Sequence, residues 1–361
     1  MRRVVKLASI GLIGALAIAG CGQKPTSGGS GSSASATGGK KLKACMVLDV
    51  GGVDDRSFNQ SSWAGLTEAK KQNPNIDASY VSSTSQNDYT PNLNAEVNKG
   101  CGVTIAVGGL MSTAVKKVAG QHTDKNFAEV DAPSSGPNVY GLQYNTAQAA
   151  FLGGYLAAGM SKTGKVATFG GLPIPPVTIY MDGFWEGVQY YNKQKHKQVQ
   201  VLGWSEKNQK GGTFAQSFTD QGKGRSISAS FIQQGADVIF PVAGGTGLGA
   251  GAAAKASGGK ANVMWVDTDG CVSAAQYCKY FITSVTKNIT ASVKQYATQS
   301  ADGTPPKGNY IGDLKNSGVG LAPFHQFDSK VPGKLKSELD SIKQDIISGK
   351  IKITSPAQPK A

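Results

Sequence analysis

The sequence has few charged residues, few cysteines and few histidines for its length. Asp, Glu, Lys and Arg make up 17% of the 361 residues, below the usual ~25%, whereas 39% of the residues are hydrophobic. This composition excludes a disordered acidic or basic chain and is sufficient for a buried core. The five cysteines are too few for a disulfide-dense miniature fold. At about 150 residues per domain, the length predicts roughly 2.4 domains.

Basic residues are in excess, but they do not form a stripe. The 37 Lys and Arg residues against 23 Asp and Glu residues give a formal net charge of +14 at pH 7. The lysines are scattered, with groups near both ends of the chain, and no basic run is interleaved with aromatic residues. A nucleic-acid binder would gather this charge on one helix or face. We therefore predict no nucleic-acid partner, and a basic surface that faces an anionic membrane or wall.

The N-terminus has the pattern of an export signal. Arg2, Arg3 and Lys6 are followed by an apolar run, residues 7–19, which is too short to span a bilayer comfortably. The run continues as Leu-Ala-Ile-Ala-Gly up to Cys21. This ending resembles the bacterial lipobox, in which the cysteine is lipidated. An ordinary secretory signal with a chance cysteine is the alternative.

The N-terminal pattern predicts where the mature protein begins and where it resides. Residues 1–20 form the predicted lipoprotein signal peptide, and residues 21–42 contain the lipidated Cys21 and a flexible tether rich in glycine and serine. The mature protein is then anchored by lipid on the outer face of the cell membrane. Cytosolic cofactors such as NAD and ATP are scarce there, and we predict no cofactor.

The four remaining cysteines suit an oxidising compartment. Cys45 and Cys101 each open an apolar run that is predicted as a parallel strand, which places both at the same edge of a sheet. Cys271 and Cys278 bracket a six-residue loop. We predict two disulfides, Cys45–Cys101 and Cys271–Cys278, with free buried thiols as the alternative. No paired CxxC and no histidine cluster accompany these cysteines, and no metal site is predicted.

Short apolar runs alternate with helical patterns along the rest of the chain. Runs without strict apolar–polar alternation are typical of parallel strands that are covered on both faces. The predicted strands are 43–49, 76–81, 102–107, 127–131, 138–142, 165–170, 198–203, 236–242, 262–267 and 280–285. The predicted helices are 57–73, 90–99, 111–122, 146–161, 178–193, 222–234, 246–257 and 287–299. These elements are too many for one tidy sheet, so we predict an α/β fold with two doubly wound parallel-sheet lobes.

The two lobes are expected to be joined by a hinge of several strands. We predict an N-lobe of residues 43–145 plus 287–320, and a C-lobe of residues 146–286 plus 321–354. In open parallel sheets, ligands bind in the crevice at the carboxyl ends of the strands. The residues that follow the predicted strands are therefore the first candidates for a site.

The side chains at these strand ends suit a site for hydroxyl groups. A lone aspartate ends three of the predicted strands: Asp49, Asp131 and Asp267. Each could be a turn or cap residue, but carboxylates that converge on one crevice accept bidentate hydrogen bonds from vicinal diols. Ser57 is a suitable cap for the helix after the first strand. Phe58 and Asn59 fall in the first turn of that helix, aimed at the crevice, with packing of Phe58 in the core as the alternative.

Several motifs resemble those of a known family. Residues 49–60, with the sequence DVGGVDDRSFNQ, resemble the signature of the basic-membrane-protein (BMP, PnrA-like) family, the substrate-binding lipoproteins of ABC transporters. AGGTG at residues 243–247 is a second, fairly specific match. Weaker matches occur in the family's order at 161–165, 170–171, 218–225, 235–240, 266–269 and 284–287. Together the motifs run from about residue 43 to residue 290.

The resemblance implies a type I periplasmic-binding fold that closes on a purine nucleoside. In the family, an aromatic residue from each lobe sandwiches the base. These positions map onto Phe58 and, less securely, onto Phe218, for which Trp204 is a competitor. Other polar positions hydrogen-bond the ribose and the base. They map onto Asp49, Asp131, Asp267 and Lys287, with support from Asn59 and the backbone amides of Gly244 and Gly245.

The resemblance also implies partners and shows two departures. The implied partners are an ABC permease and its ATPase, and the protein itself is expected to be a monomer. Gly270 follows the Asp-x-Asp motif, where the family usually has glutamine, and the segment 173–176 (PIPP) is unusually rigid. Both departures bear on the ribose side of the site and on the range of substrates.

Other functions fit parts of the pattern. Residues 245–250 match the dinucleotide fingerprint GxGxxA, with Asp267 as the acidic residue further on, but they lie in mid-chain of an exported protein. A nucleoside-processing enzyme needs a general base, a metal or a phosphate site. None of the three histidines, His122, His196 and His325, falls at a predicted strand end beside a carboxylate pair. We therefore predict a binding protein and no enzyme. A receptor for another polyol, such as a pentose, remains an alternative.

Overall fold

The computed structural model describes residues 41–360, which form two α/β lobes. The predicted signal peptide, Cys21 and nearly all of the tether lie outside these residues. The strands are β1 (Leu42–Leu48), β2 (Ile76–Ser82), β3 (Val103–Val107), β4 (Asn126–Val130), β5 (Val139–Tyr144), β6 (Lys165–Gly170), β7 (Gln200–Leu202), β8 (Val238–Val242), β9 (Asn262–Asp267), β10 (Phe281–Lys287), β11 (Asn309–Gly312) and β12 (Val319–Leu321). The helices are α1 (Phe58–Gln72), α2 (Tyr89–Asn98), α3 (Ser112–Gln121), α4 (Thr146–Met160), α5 (Pro175–Lys195), α6 (Gln221–Gln233), α7 (Leu248–Ala256), α8 (Gly270–Ser273), α9 (Ile289–Ala301) and α10 (Gly333–Ile347).

Each lobe is built on a six-stranded sheet. The first sheet, which defines the N-lobe, has the strand order β11-β5-β4-β3-β1-β2, and its pairs are all parallel. The second sheet, which defines the C-lobe, has the order β12-β10-β9-β8-β6-β7, with β12 antiparallel to β10 and the other pairs parallel. The predicted class, two doubly wound parallel-sheet lobes, is confirmed. Because the two orders correspond strand for strand, β4 and β9 occupy equivalent places, as do β3 and β8.

The central strands are buried on both faces, as their continuous apolar sequences predict. The last five residues of β1 and every residue of β3 and β8 are buried. Parallel strands of this kind need helices on both faces of the sheet. In the C-lobe, α5 lies directly against α4. Gly154 and Gly183 permit this close approach, because a Cβ atom at either position would overlap the backbone of the other helix. This close approach fixes the position of α5, whose N-terminal half faces the second sheet.

The chain passes between the two sheets three times. It leaves the first sheet after β5, returns through α9 and β11, and enters the second sheet again at β12. Helix α9 packs against α1 of the N-lobe, and α10 packs against α4 of the C-lobe. β10 ends at Lys287 and pairs with β12, so residues 287, 319 and 320 lie in the second sheet, although the predicted N-lobe range includes them. The other residue limits given for the lobes stay predictions.

The ten predicted strands and eight predicted helices all occur, with shifts of a few residues at their ends. Helix α5 begins at Pro175, earlier than the predicted start at residue 178, because proline suits the first positions of a helix. The short strands β11 and β12 and the helices α8 and α10 were not predicted. Among the helices of residues 41–360, none is both long and apolar enough to cross a membrane.

The structure brings together the cysteines that were predicted to pair. Cys45 lies in β1 and Cys101 just before the neighbouring β3, with their Cα atoms 5.9 Å apart and a disulfide between them. Cys271 and Cys278 form the second pair, with Cα atoms 4.5 Å apart. The first bridge closes a sequence separation of 56 residues and the second one of 7 residues. In the chain-entropy model, the longer loop stabilises the fold more.

For a protein that lacks residues 1–40, we expect no reactive thiol on denaturation without reductant and four after reduction. The double variant Cys45→Ala/Cys101→Ala should lower the free energy of unfolding by about 2–4 kcal/mol, because the open unfolded chain regains the entropy of the long loop. Urea denaturation measures this change. The matched variant Cys271→Ala/Cys278→Ala, with its short loop, should lose less. Four reactive thiols before reduction would contradict both pairings.

Candidate ligand-binding site

The candidate site is a cleft between the carboxyl ends of the two sheets. It holds about 560 Å³ of empty space, counting its mouth, which lies within the usual range for small-molecule sites. The cleft is lined by Asp49, Asp55, Phe58, Asn59, Gly108, Gly109, Leu110, Asp131, Ile174, Pro176, Val177, Tyr180, Phe218, Val242, Ala243, Gly244, Val266, Asp267 and Lys287. Eight of the nine predicted ligand-binding residues are among them. The ninth, Gly245, lies next to the cleft beside Phe218 and Asp55.

Asp55 holds the N-terminus of α1 at the edge of the cleft. Its carboxylate accepts hydrogen bonds from the backbone N–H groups of Ser57 (3.0 Å), Asn59 (2.8 Å) and Gln60 (3.1 Å). Burial raises the pKa of Asp55 to about 7, and these three donors act in the opposite direction. The expected capping role of the Ser57 side chain is not seen, because Asp55 takes it.

Asp49 and Asn59 form one buried pair on the N-lobe side. The Nδ2 atom of Asn59 donates to Oδ1 of Asp49 at 2.8 Å, and the backbone N–H of Gly51 donates to the same oxygen at 2.9 Å. Burial raises the pKa of Asp49 above its usual range. The Oδ1 atom of Asn59 is buried and has no hydrogen-bond partner within the described chain. At Gly108, with a φ of +118°, a Cβ atom would lie 2.7 Å from Oδ2 of Asp49, so the carboxylate needs glycine there.

Lys287 joins the aspartates of the two lobes at the base of the cleft. Its Nζ atom lies 2.7 and 3.0 Å from the two carboxylate oxygens of Asp131 and 3.7 Å from Oδ1 of Asp267. The lysine side chain is only 3% exposed. Nζ also lies 5.0 Å from the centre of the Phe58 ring, a cation–π distance. Burial raises the pKa of Asp131, and the charge of Lys287 opposes that rise.

Asp131 and Asp267 share an unusual backbone conformation. Their φ angles are +68° and +65°, in the left-handed region that non-glycine residues seldom adopt. Asp131 directly follows β4, and Asp267 is the last residue of β9, the equivalent strand of the other lobe. Strained backbone at equivalent strand ends of both lobes is typical of residues that are held in place for a function.

Asp267 receives hydrogen bonds from both lobes. The hydroxyl of Tyr180, from α5, donates to its Oδ1 at 2.8 Å. The hydroxyl of Ser57, which precedes α1 of the N-lobe, donates to its Oδ2 at 2.5 Å. A second contact between the lobes lies close by, where the indole N–H of Trp265 donates to the carbonyl of Arg56 at 3.3 Å.

The two candidate aromatic residues of the C-lobe lie in different places. Phe218 lines the cleft, as Phe58 does on the N-lobe side. Trp204 is buried, with its ring 5.9 Å from that of Phe214, and its indole N–H donates to Asp182 at 2.9 Å. Phe218, and not Trp204, is therefore in a position to contact a ligand in the cleft.

Sequence reasoning missed several lining residues. Asp55 lies within the 49–60 motif, but only Asp49, Phe58 and Asn59 were selected from it. Pro176 belongs to the segment that was noted for its rigidity, without a place in the cleft. Tyr180 follows no strand, and the predicted helix around it gave no signal of a buried hydroxyl at a strand end.

A cleft between two parallel-sheet lobes, at their strand ends, is the arrangement of the type I periplasmic-binding fold. A family model described as ABC transporter substrate-binding protein, PnrA-like (Bmp) matches residues 42–356. The ABC transporter nucleoside-binding protein BmpA of Lactococcus lactis subsp. cremoris is 30% identical over 98% of this chain and 99% of its own length. The chain therefore belongs to the Bmp family, and it is a substrate-binding protein of an ABC transporter.

Two further similarities agree with this assignment. An uncharacterized lipoprotein of Pyrococcus horikoshii is 31% identical over 93% of this chain and 82% of its own length. The crystal structure of an ABC transporter solute-binding protein from Aeropyrum pernix K1 superposes with a TM-score of 0.79, at 24% identity, over 87% of this chain and 94% of that one. The similarity to the solved structure supports the fold.

The ion pair at the base of the cleft gives a stability prediction. Lys287→Met should lower the free energy of unfolding of the ligand-free protein at pH 7 by about 3 kcal/mol, because it leaves buried carboxylates without their cation. The loss should shrink as the pH falls towards 4, since without the lysine the pKa of Asp131 rises further and protonation removes the uncompensated charge. Urea denaturation at several pH values measures both effects.

The double variant Asp131→Asn/Lys287→Met is the control for this pair. It removes the charges of both Asp131 and Lys287. Its loss of stability at pH 7 should therefore be smaller than the sum of the losses measured for Asp131→Asn alone and Lys287→Met alone. Strict additivity would mean that the two side chains do not interact.

Proposed function

We propose that this substrate-binding protein captures a purine nucleoside in the cleft and delivers it to an ABC permease and its ATPase. One observation carries the proposal: an aromatic side chain from each lobe, Phe58 and Phe218, lines the same cleft as the carboxylates of Asp49, Asp131 and Asp267. A planar base offers two faces for the rings, and the sugar offers hydroxyl donors for the carboxylates. The name of the relative from Lactococcus lactis supports a nucleoside ligand.

The charge of the cleft favours a nucleoside over a nucleotide. Four aspartates and one lysine are the titratable side chains of its lining, and Asp55 among them is hydrogen-bonded to the N-terminus of α1. A phosphate group would meet more carboxylates than cations in a buried place, where repulsion is poorly screened. The ligand is therefore expected to be neutral.

Recognition is divided between stacking and hydrogen bonding. Stacking of aromatic rings adds about 0.5–1.5 kcal/mol beyond the buried area, too little to choose among bases. A polar group that is buried without a partner costs about 1–3 kcal/mol, so a closed cleft rejects a ligand that lacks the matching groups. Closure of the two lobes then seals the site and signals occupancy to the permease. No step in this sequence requires catalysis, a cofactor or a metal.

Calorimetric titration tests the ligand. The protein without residues 1–40, unfolded and refolded to remove carried-over ligand, should bind adenosine, guanosine or inosine with sub-micromolar affinity, about −8 to −12 kcal/mol. Phe58→Ala should weaken this binding at least tenfold, because one face of the base loses its ring. Trp63→Ala is the matched control. Trp63 lies on the same helix but packs against Tyr80, with ring centroids 4.8 Å apart, away from the cleft, and its loss should leave the affinity unchanged.

Cytidine, uridine and ribose complete the set of ligands. Binding heat on titration with ribose, and none with any nucleoside, would indicate that the ligand is a pentose and not a nucleoside. Release of free base from a bound nucleoside on overnight incubation, detected by chromatography, would establish a nucleoside-processing enzyme instead. Absence of binding heat with every one of these ligands would contradict the proposal.

The lipid anchor is part of the proposal and has its own test. Lipidation of Cys21 would hold the protein on the outer face of the cell membrane, with the glycine- and serine-rich segment before residue 41 as a tether. We expect the full-length protein to partition with membranes, and Cys21→Ala to be found in the soluble fraction of the same cells. The control Cys271→Ala/Cys278→Ala, which keeps Cys21, should stay with the membranes. Equal partition of Cys21→Ala and the unchanged protein would contradict the anchor.

A further inference from the structure

Asp267 has both of its carboxylate oxygens held by hydroxyl groups of the protein. Tyr180 donates to Oδ1 at 2.8 Å and Ser57 donates to Oδ2 at 2.5 Å. A carboxylate has about four lone-pair positions. Oδ1 also faces Nζ of Lys287 at 3.7 Å, whereas Oδ2 keeps a position for a further donor, and the bound hydroxyls set the direction in which the carboxylate points.

Tyr180 is built into the C-lobe before any ligand arrives. Its side chain is 1% exposed, and its ring lies 6.0 Å from that of Phe240 in β8 and 5.3 Å from Nζ of Lys287. Its helix, α5, is fixed by the close approach to α4. Burial and the nearby charge of Asp267 raise the pKa of Tyr180 well above its usual value. The phenol therefore stays protonated, and it remains a hydrogen-bond donor.

Ser57 belongs to the other lobe. It follows Arg56, whose φ of +59° turns the chain at this point. The Arg56 carbonyl accepts a hydrogen bond from Trp265, and the Ser57 hydroxyl reaches Asp267. The same hydroxyl lies 3.3 Å from the carbonyl of Val266. Asp55 already caps α1, so the hydroxyl is free from that task. This donor reaches the carboxylate where the N-lobe meets the end of β9, so the contact depends on the two lobes lying together.

We propose that Tyr180 and Ser57 are positioning residues that orient Asp267 towards a hydroxyl of the ligand's sugar, Tyr180 within the C-lobe and Ser57 on closure. The inference rests on the proposed function and adds to it a determinant of sugar specificity. Asp49, by contrast, is held by Asn59 and Gly51 of its own lobe. Asp267 thus couples recognition of the sugar to contact between the lobes.

The experiment compares Tyr180→Phe with the unchanged protein on three ligands: the nucleoside that binds best, and its 2′-deoxy and 3′-deoxy forms. Tyr180→Phe keeps the ring and removes the hydroxyl. We expect it to weaken binding of the ribonucleoside by about tenfold or more, the range for hydrogen bonds to charged groups. For the deoxy form that lacks the hydroxyl bound by Asp267, Tyr180→Phe should weaken binding by less than about threefold. Calorimetry gives the affinities, and circular dichroism and thermal unfolding verify the fold.

Tyr155→Phe is the matched control. Tyr155 is also a buried tyrosine of the C-lobe, and its hydroxyl donates to Glu338 at 2.9 Å, away from the cleft. Its loss should leave all three affinities unchanged. Equal losses on the three ligands with Tyr180→Phe, or no loss at all, would overturn the inference while the nucleoside function stands. If the unchanged protein binds no nucleoside, the proposed function fails, and the inference fails with it.

Variants of Ser57 distinguish an effect on lobe closure from an effect on the first encounter with the ligand. Ser57→Ala should raise the dissociation rate of the ribonucleoside by about tenfold and leave the association rate within a factor of about two, because the contact forms as the lobes meet. Ser57→Thr keeps a hydroxyl and should restore most of the affinity. Stopped-flow fluorescence measures both rates. An unchanged dissociation rate in Ser57→Ala, or a threonine variant as impaired as the alanine variant, would overturn the role of Ser57.

Discussion

Burial of charge at the base of the cleft is the constraint on which the site depends. Lys287, almost fully buried, needs carboxylates within reach, and it finds them in Asp131 of the N-lobe and Asp267 of the C-lobe. An unpaired charge in this place would cost several kcal/mol, so the ends of β4, β9 and β10 have to meet at one point. The passage of the chain from β10 into α9 of the N-lobe places the lysine where both sheets can supply a partner. Its position next to the Phe58 ring brings an aromatic side chain and the polar groups of the cleft together.

The correspondence of the two sheets explains how the site is divided. Asp131 directly follows β4 and Asp267 ends the equivalent β9, both with a left-handed backbone. Gly108 and Gly244, both with positive φ, lie in the turns after the equivalent strands β3 and β8. The lobes differ after β1 and β6. The N-lobe has Asp49 there, whereas the C-lobe has Gly171, and Phe218 packs where a side chain at Gly171 would lie. The same architecture in both lobes thus places a carboxylate at the ends of β4 and β9. The ends of β1 and β6 differ, with a carboxylate in the N-lobe and an aromatic ring in the C-lobe.

Much of this arrangement could be predicted from the sequence, and the physical reasons for the limits are clear. Apolar runs between helical patterns located the ten main strands, because central parallel strands are buried on both faces. The short strands β11 and β12 carry too few residues for a pattern, so the last return of the chain was misplaced by two residues. The places of Asp49, Asp131 and Asp267 in the cleft followed from the rule that the carboxyl ends of parallel strands meet at one crevice. Tyr180 did not, since a tyrosine in a helix is equally typical of a core. The role of Ser57 was predicted as a cap, but Asp55 two residues earlier competes for the same N–H groups and takes them.

Selectivity and closure have a common physical origin in this cleft under the proposed function. Several polar side chains of the cleft have a protein partner and still keep unused hydrogen-bonding capacity: Oδ2 of Asp267, the unpartnered Oδ1 of Asn59 and the carboxylate of Asp49. In an open cleft, water satisfies that capacity at no cost. When the lobes meet, water is excluded, and the unused lone pairs become a penalty unless the ligand supplies donors in the right directions. A ligand with the wrong hydroxyls therefore costs free energy mainly in the closed state. Under the proposed function, a permease that recognises the closed form then receives the correct ligand, although stacking alone would accept many aromatic rings.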